Sequence, residues 1–294
     1  MQSAQSGMET GKRSTVHVYQ PFHLGDCVFS THYLRKLCEA NPRLQACFYV
    51  RPDYIEELRL FVPELGERLC LYPLDDRPAE AVNCHINADG FYQSHPRRRH
   101  FAAMYVDFFK HLSGKLGVLS PIASVEEMLL DSPALEPGAQ IQALGSIDWL
   151  VINSPPLSGQ CPYVADEWNS LIRKLVEKGE RVVTTAPSGI ESARCTLEFE
   201  FASTQRGNDQ DRAKPSPLPL VAIGQLATIS RNVAGVHTGP LIPCLNRWAA
   251  RKVEHWYILD SFNHFFFNDR FHNCRLFQNL EKLIWTDRGR NPFH

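Results

Sequence analysis

No stretch of this 294-residue sequence reaches the roughly 18 consecutive apolar residues that a membrane-crossing helix requires. The first fifteen residues are polar, carry Lys12 and Arg13, and lack the apolar centre of a secretory signal. A cytoplasmic protein without a transmembrane segment is expected, with peripheral membrane contact left open. Charge of one sign is missing as well: 31 Lys and Arg stand against 32 Asp and Glu, a formal net charge of -1. That balance creates no long-range field, so nucleic acid is not expected as a partner. The nine cysteines contain no C-x-x-C pair, and the neighbours Cys84 and His85 diverge in either a helix or a strand. No metal and no resident cofactor are expected, and the cysteines read as free thiols of a reducing compartment. No repeat of fixed spacing is present.

What is present is alternation. Residues 16–19 read as a strand, His23-Leu24-Gly25-Asp26 as a loop, and residues 27–40 as a helix with Tyr33, Leu34, Leu37 and Cys38 on one face. A strand at 46–50, a short helix at 54–61 and a strand at 69–72 continue the pattern. Helices follow at 101–116 and 125–130, then the Pro-containing stretch 131–138. A second series opens with an apolar strand at 149–153, a helix capped by Asp166 and stopped by Gly179, and a strand at 181–185. Strands alternating with helices make an α/β protein with mainly parallel, doubly wound sheets. The chain is long enough for two such domains. The expected division is a disordered tail at 1–13, a domain at 14–140 joined through 131–138 to a second at 141–294, and a last helix that packs back on the first.

Open α/β sheets bind ligands outside the carboxyl ends of their strands. Three places there stand out: Asp26 after the first strand, the turn 186–191 with Ser188, Gly189 and Glu191, and the turn Thr238-Gly239-Pro240, expected to open a helix near residue 241. Each has a plain structural alternative. Asp26 also suits an N-cap, and both turns suit ordinary strand connections. Residues 205–217 mix charge, Gly and Pro in the manner of a surface loop or lid. The run His95-Pro96-Arg97-Arg98-Arg99-His100 is the densest basic cluster, and Trp256, Tyr257, Phe262, Phe265, Phe266 and Phe267 form an aromatic group suited to core packing or to stacking on a ligand.

Gly25-Asp26 followed by Leu34-Arg35, the series 151–191 ending in Pro187-Ser188-Gly189-Ile190-Glu191, and Gly235-Val236-His237-Thr238-Gly239-Pro240 together resemble the heptosyltransferase-like glycosyltransferases of family nine. The resemblance spans residues 16–250. It implies two Rossmann-like domains facing across a cleft, the GT-B arrangement, with the first domain on the acceptor side and the second on the donor side. It further implies inverting, metal-independent transfer of a sugar from a nucleotide-sugar donor to a glycan or glycolipid-type acceptor. Asp26 then corresponds to the base. Ser154, Ser188, Gly189, Glu191, His237, Thr238 and Gly239 fall on the donor side, and His23, Arg97 and Arg98 on the acceptor side. Two departures stand: His237 occupies a position where the family has Asp, and residues 154–163 contain no Lys to match the family's donor-side loop. Two other functions fit the same residues, a non-catalytic module for nucleotide sugars or glycans and a nucleotide-sugar 2-epimerase.

Overall fold

The computed structural model describes residues 14–91, 101–154, 163–191, 193–195, 219–236, 239–259 and 274–277. The tail 1–13, the segment 205–217 and the terminal segment expected to pack back lie outside them. Two parallel sheets account for the architecture. The first contains β1 (Ser14–Gln20), β2 (Leu44–Val50), β3 (Leu69–Pro73) and β4 (Val82–Asn83), in the order β3-β2-β1-β4. Its helices are α1 (Leu24–Ala40), α2 (Ile55–Arg59) and α3 (Phe101–Lys115). After α4 (Ala139–Ala143), the second sheet takes β5 (Ile147–Ile152), β6 (Val182–Thr184), β7 (Arg194–Cys195), β8 (Ser230–Val236), β9 (His255–Leu259) and β10 (Cys274–Phe277). Its order is β10-β9-β8-β5-β6-β7, and α5 (Ala165–Glu177), α6 (Leu220–Ala227) and α7 (Ala249–Lys252) accompany it.

Both orders reverse direction next to the first strand of the sheet. In the first sheet the chain moves outward from β1 through β2 to β3 and then returns to the other side of β1 with β4. In the second it moves from β5 through β6 to β7 and returns beside β5 with β8. Each reversal leaves a crevice at the carboxyl ends of two strands, β1 and β4 in one sheet and β5 and β8 in the other.

Local chemistry explains the elements. β2 carries Phe48, Tyr49 and Val50, which favour a strand, and residues 46–50 are all buried. α1 starts three residues earlier than the sequence suggests: His23 is its N-cap and makes no side-chain capping bond. Asp26 is therefore inside the first turn rather than in a loop or at the cap, where its charge still favours the positive end of the helix. Asn41 closes α1, its side-chain amide donating to the Leu37 carbonyl at 2.8 Å. In α5, Trp168, Leu171, Ile172 and Leu175 recur at helical spacing and are buried against Val151 and Val182. Its N-cap is Val164, with Asp166 in the first turn, and Gly179 at φ +81° takes the left-handed conformation that ends it. The helix expected to open near residue 241 is a 3-10 helix, Gly239–Cys244, because Pro240 and Pro243 cannot supply the amides of an α-helix. The helix expected at 125–130 is likewise a single 3-10 turn, Glu126–Met128.

One hydrophobic cluster runs from Val18, Phe48 and Phe109 of the first half into Leu150, Ile223 and Trp256 of the second. The connecting segment is fastened on both sides. Leu130 accepts from the Arg247 amide at 3.0 Å and donates to the Leu245 carbonyl at 3.0 Å. Asp131 receives Lys36 at 2.9 Å and the buried guanidinium of Arg35, so α1 holds the segment from the other side. Ser132 donates to the Phe61 carbonyl at 2.5 Å. α6 docks closely here, because a Cβ on Gly224 would lie 2.8 Å from the Pro243 carbonyl oxygen and 2.5 Å from Leu135. Gly224→Ala is therefore expected to cost about 1–3 kcal/mol from overpacking, larger than the roughly 1 kcal/mol that Ala returns as a better helix former. A lowered urea midpoint with an unchanged slope checks it.

Candidate functional site

The first crevice, at the ends of β1 and β4, collects three polar side chains from three elements. Asp26 comes from the first turn of α1, directly after the β1 loop. His85 follows β4, whose pairing of Asn83 with Tyr19 fixes its height beside β1. Tyr105 comes from α3. The register between the two helices is set by aromatic contacts at helical spacing: Phe29 meets Tyr105 at 5.4 Å between centroids, Tyr33 stacks on Phe109 at 4.4 Å, and the Tyr33 hydroxyl bonds Ser113 Oγ at 2.7 Å. Asp26, Phe29 and Tyr33 share one face of α1, while Tyr105, Phe109 and Ser113 share one face of α3. Packing of the apolar pairs thus carries the Tyr105 hydroxyl to Asp26.

Tyr105 is fully buried and its hydroxyl donates to Asp26 Oδ1. Burial, and then the Asp26 charge, push the phenol well above its ordinary range, so it remains a donor. The second oxygen, Oδ2, faces His85 Nε2 at 3.9 Å, and the Asp26 side chain keeps 20% of its exposure. His85 is oriented from behind: the Asn87 amide donates to its Nδ1 at 3.2 Å, and its own amide donates to Asn83 Oδ1 at 2.9 Å. A ring nitrogen that accepts carries no proton, so neutral His85 bears its hydrogen on Nε2, toward Asp26. Burial lowers the His85 pKa from 6.5, with Asp26 opposing the shift. The carboxylate thus has Oδ1 occupied by a fixed donor and Oδ2 3.9 Å from a neutral imidazole, with its side chain partly exposed. This arrangement can take a proton from an approaching hydroxyl.

The second crevice faces the first. A Cβ on Gly25 would come within 3.2 Å of Gly239 Cα and 3.1 Å of Ile242, so the start of α1 and the start of the 3-10 helix after β8 are in backbone contact. A carboxylate from the first half also reaches the second: Glu57 accepts from the Leu220 amide at the start of α6, which Pro219 at the N-cap cannot serve. At the end of β5, Asn153 clamps the end of β6, its Nδ2 donating to the Ala186 carbonyl at 3.0 Å and its Oδ1 accepting the Ala186 amide at 2.8 Å. Ser154 Oγ bonds Thr185 Oγ1 at 2.9 Å.

Ser188 accepts the Ile190 amide at 3.3 Å, Gly189 adopts φ +68°, and Glu191 is exposed at the edge of this turn. Asp26 and Gly239 are thereby brought to one place, and Ser154 and Ser188 stand at strand ends of the same sheet as Gly239. His23 is exposed at the N-cap of α1. His237, Thr238, Arg97 and Arg98 lie outside the described residues, as do Phe262 and Phe265 to Phe267. Trp256 and Tyr257 belong to β9; Trp256 is buried core and Tyr257 packs on Trp149 at 5.0 Å.

Sequence reading missed Tyr105 and His85. Tyr105 is one of several aromatic residues in an amphipathic helix, and nothing local marks it. The signal for His85 was its place after a short strand, which two residues of β4 were too few to reveal. Among the described residues no group of three or more His, Cys, Asp and Glu is arranged to hold a metal, and no helix is long and apolar enough to cross a membrane.

No protein-family model matches the sequence, and no curated protein sequence matches it. Solved structures do match. The E. coli heptosyltransferase WaaC with ADP is 11% identical, with 94% of this chain aligned to 98% of that one at a TM-score of 0.50. A family 9 glycosyl transferase from Veillonella parvula is 13% identical over 96% of this chain and 91% of its own, TM-score 0.50. The E. coli ADP-heptose lps heptosyltransferase II is 12% identical over 90% of each chain, TM-score 0.50. The end-to-end coverage, the two parallel sheets and the facing crevices agree: this chain has the two-domain α/β fold of the heptosyltransferases and of a family 9 glycosyltransferase.

Proposed function

We propose that the protein is an inverting glycosyltransferase that uses a nucleoside-diphosphate sugar and in which Asp26 is the base. The observation that carries the reading is the partly exposed carboxylate of Asp26 at the β1–β4 crevice, held by Tyr105 through Oδ1, with its neighbour Gly25 in backbone proximity to Gly239. In the proposed step an acceptor hydroxyl attacks the anomeric carbon of the donor. Its proton passes to Asp26 Oδ2, the bond from that carbon to the phosphate oxygen breaks, and the nucleoside diphosphate leaves with the electron pair. Attack opposite the leaving group inverts the anomeric centre. Tyr105 fixes the carboxylate and does not itself receive the proton.

The donor is assigned to the second half, along the ends of β5, β6 and β8, where Ser154, Ser188, Gly189, Glu191 and the 237–239 turn are the proposed contacts. With only a 3-10 helix behind Gly239, the proposed hold on the phosphates relies on individual amides and hydroxyls more than on a helix dipole. The acceptor is assigned to the first half, on the side of His23 and Arg97 and Arg98. Structures of proteins sharing the fold with ADP or an ADP-sugar derivative bound are consistent with a nucleotide-sugar donor.

A thermal-shift series with nucleoside diphosphates and their sugars is expected to raise the melting temperature for one nucleotide class, by mass action on the folded state. No shift across the whole series rejects the donor assignment. With that donor, Asp26→Asn is expected to lower turnover by about 100-fold or more while nucleotide affinity is kept. Tyr105→Phe is expected to lower kcat by about tenfold, the equivalent of one lost hydrogen bond to a charged group, with donor KM little changed. Turnover that survives Asp26→Asn rejects the base. Transfer is proposed to need no divalent metal, so dialysis against EDTA is expected to leave the rate unchanged; a rate restored only by added metal overturns this point.

A further inference from the structure

Four large apolar side chains remain well exposed among the described residues: Phe22, Tyr72, Leu119 and Val164. Phe22, 48% exposed, is the one that stands beside the candidate base. It lies in the loop between β1 and α1, and its ring centroid is 4.4 Å from that of His85, whose Nε2 is 3.9 Å from Asp26 Oδ2. Its backbone is held: the Phe22 amide donates at 3.3 Å to Oε1 of Gln20, a fully buried residue at the end of β1. Its sequence neighbour His23, also exposed, places a tilted ring 6.5 Å away.

Scattered exposed apolar side chains are ordinary on protein surfaces, so exposure alone decides nothing. Placement and restraint do. This ring is fixed on one side by His85 and at its backbone by Gln20, leaving a flat apolar surface at the mouth of the crevice. A restrained ring binds with less loss of conformational freedom than a mobile one. One face of a pyranose presents C–H groups without hydroxyls, and these fit the negative face of an aromatic ring.

We infer that Phe22 is a stacking platform for a neutral sugar ring, positioned so that a hydroxyl at the edge of that ring reaches Asp26 Oδ2. Under the transferase reading, on which this rests for its functional meaning, the ring is that of the acceptor. The ligand class is therefore a saccharide recognised through its apolar face, in addition to any charged group it carries elsewhere.

The probe is a panel of neutral methyl glycosides of glucose, galactose and N-acetylglucosamine, read by saturation-transfer NMR on the full chain. The variants are Phe22→Ala, Phe22→Leu, Phe22→Tyr and Asp26→Asn. Saturation concentrated on the C–H protons of one sugar face is expected with the wild type, Phe22→Tyr and Asp26→Asn. It is expected to fall about five- to tenfold with both Phe22→Ala and Phe22→Leu. Leu keeps the apolar contact with His85 but lacks the flat face, so equal loss in both variants separates stacking from support of His85. Glycoside contacts that are the same in the wild type and Phe22→Leu, or a wild type that contacts no glycoside while still shifting with its nucleotide, overturn the inference. Face-selective contact that requires Phe22, in a protein that binds no nucleotide, upholds the platform and sinks the transferase reading alone.

Discussion

The close approach of Gly25 and Gly239 is the constraint on which the site depends. Gly25 follows β1 and Gly239 follows β8, each a crevice strand of its own sheet, and each would put a Cβ within van der Waals contact, or closer, of the other's backbone. With hydrogen alone, the carboxyl ends of β1 and β8 come together, and the Asp26 carboxylate on one half stands near the Gly239 backbone of the other. Alternatives that would move the halves apart are opposed by several independent ties: Glu57 at the start of α6, Leu130 between Leu245 and Arg247, and Arg35 with Lys36 on Asp131.

Those ties differ in kind from the site they support. Arg35 is nearly fully buried, with Glu39 at 2.5 Å and Asp131 as partners, so removing both carboxylates would strand its charge in a dry environment. His32, beside it on α1, donates from Nε2 to the Glu127 carbonyl at 2.8 Å, and burial lowers its pKa to about 3. It therefore stays neutral in the folded chain, and as pH falls below 6.5 the unfolded chain gains a proton that the folded one refuses, which withdraws stability. Burial thus keeps His32 in one protonation state at neutral pH. Around Asp26, by contrast, one carboxylate oxygen is held by Tyr105 while the side chain stays partly exposed.

A good part of the fold was legible in local patterns. The parallel alternation follows from apolar strands of four to seven residues between amphipathic helices, and both are properties of short segments. The boundaries were less secure for identifiable reasons. β8 begins at Ser230, because burial and pairing with β5 and β9 outweigh the weak helical tendency of 228–230. The 3-10 helix at Gly239–Cys244 replaced an expected α-helix because two prolines remove its donors. β4 and β7 have two residues each, too short for any periodicity to register.

The sequence by itself determined the class of fold and the strand-to-helix connections near Asp26 and Gly239, since each is marked by residues within a few positions of one another. Only the tertiary structure decided what surrounds Asp26. Tyr105 is 79 positions away and His85 sits beyond three intervening strands, so their meeting depends on the Phe29–Tyr105 and Tyr33–Phe109 contacts and on the return of the chain to β1 through β4. The same holds for Phe22, whose exposure becomes meaningful only once His85 is beneath its ring. Side-chain identity is written locally, but the surroundings of the Asp26 carboxylate are set by packing between elements distant in the chain.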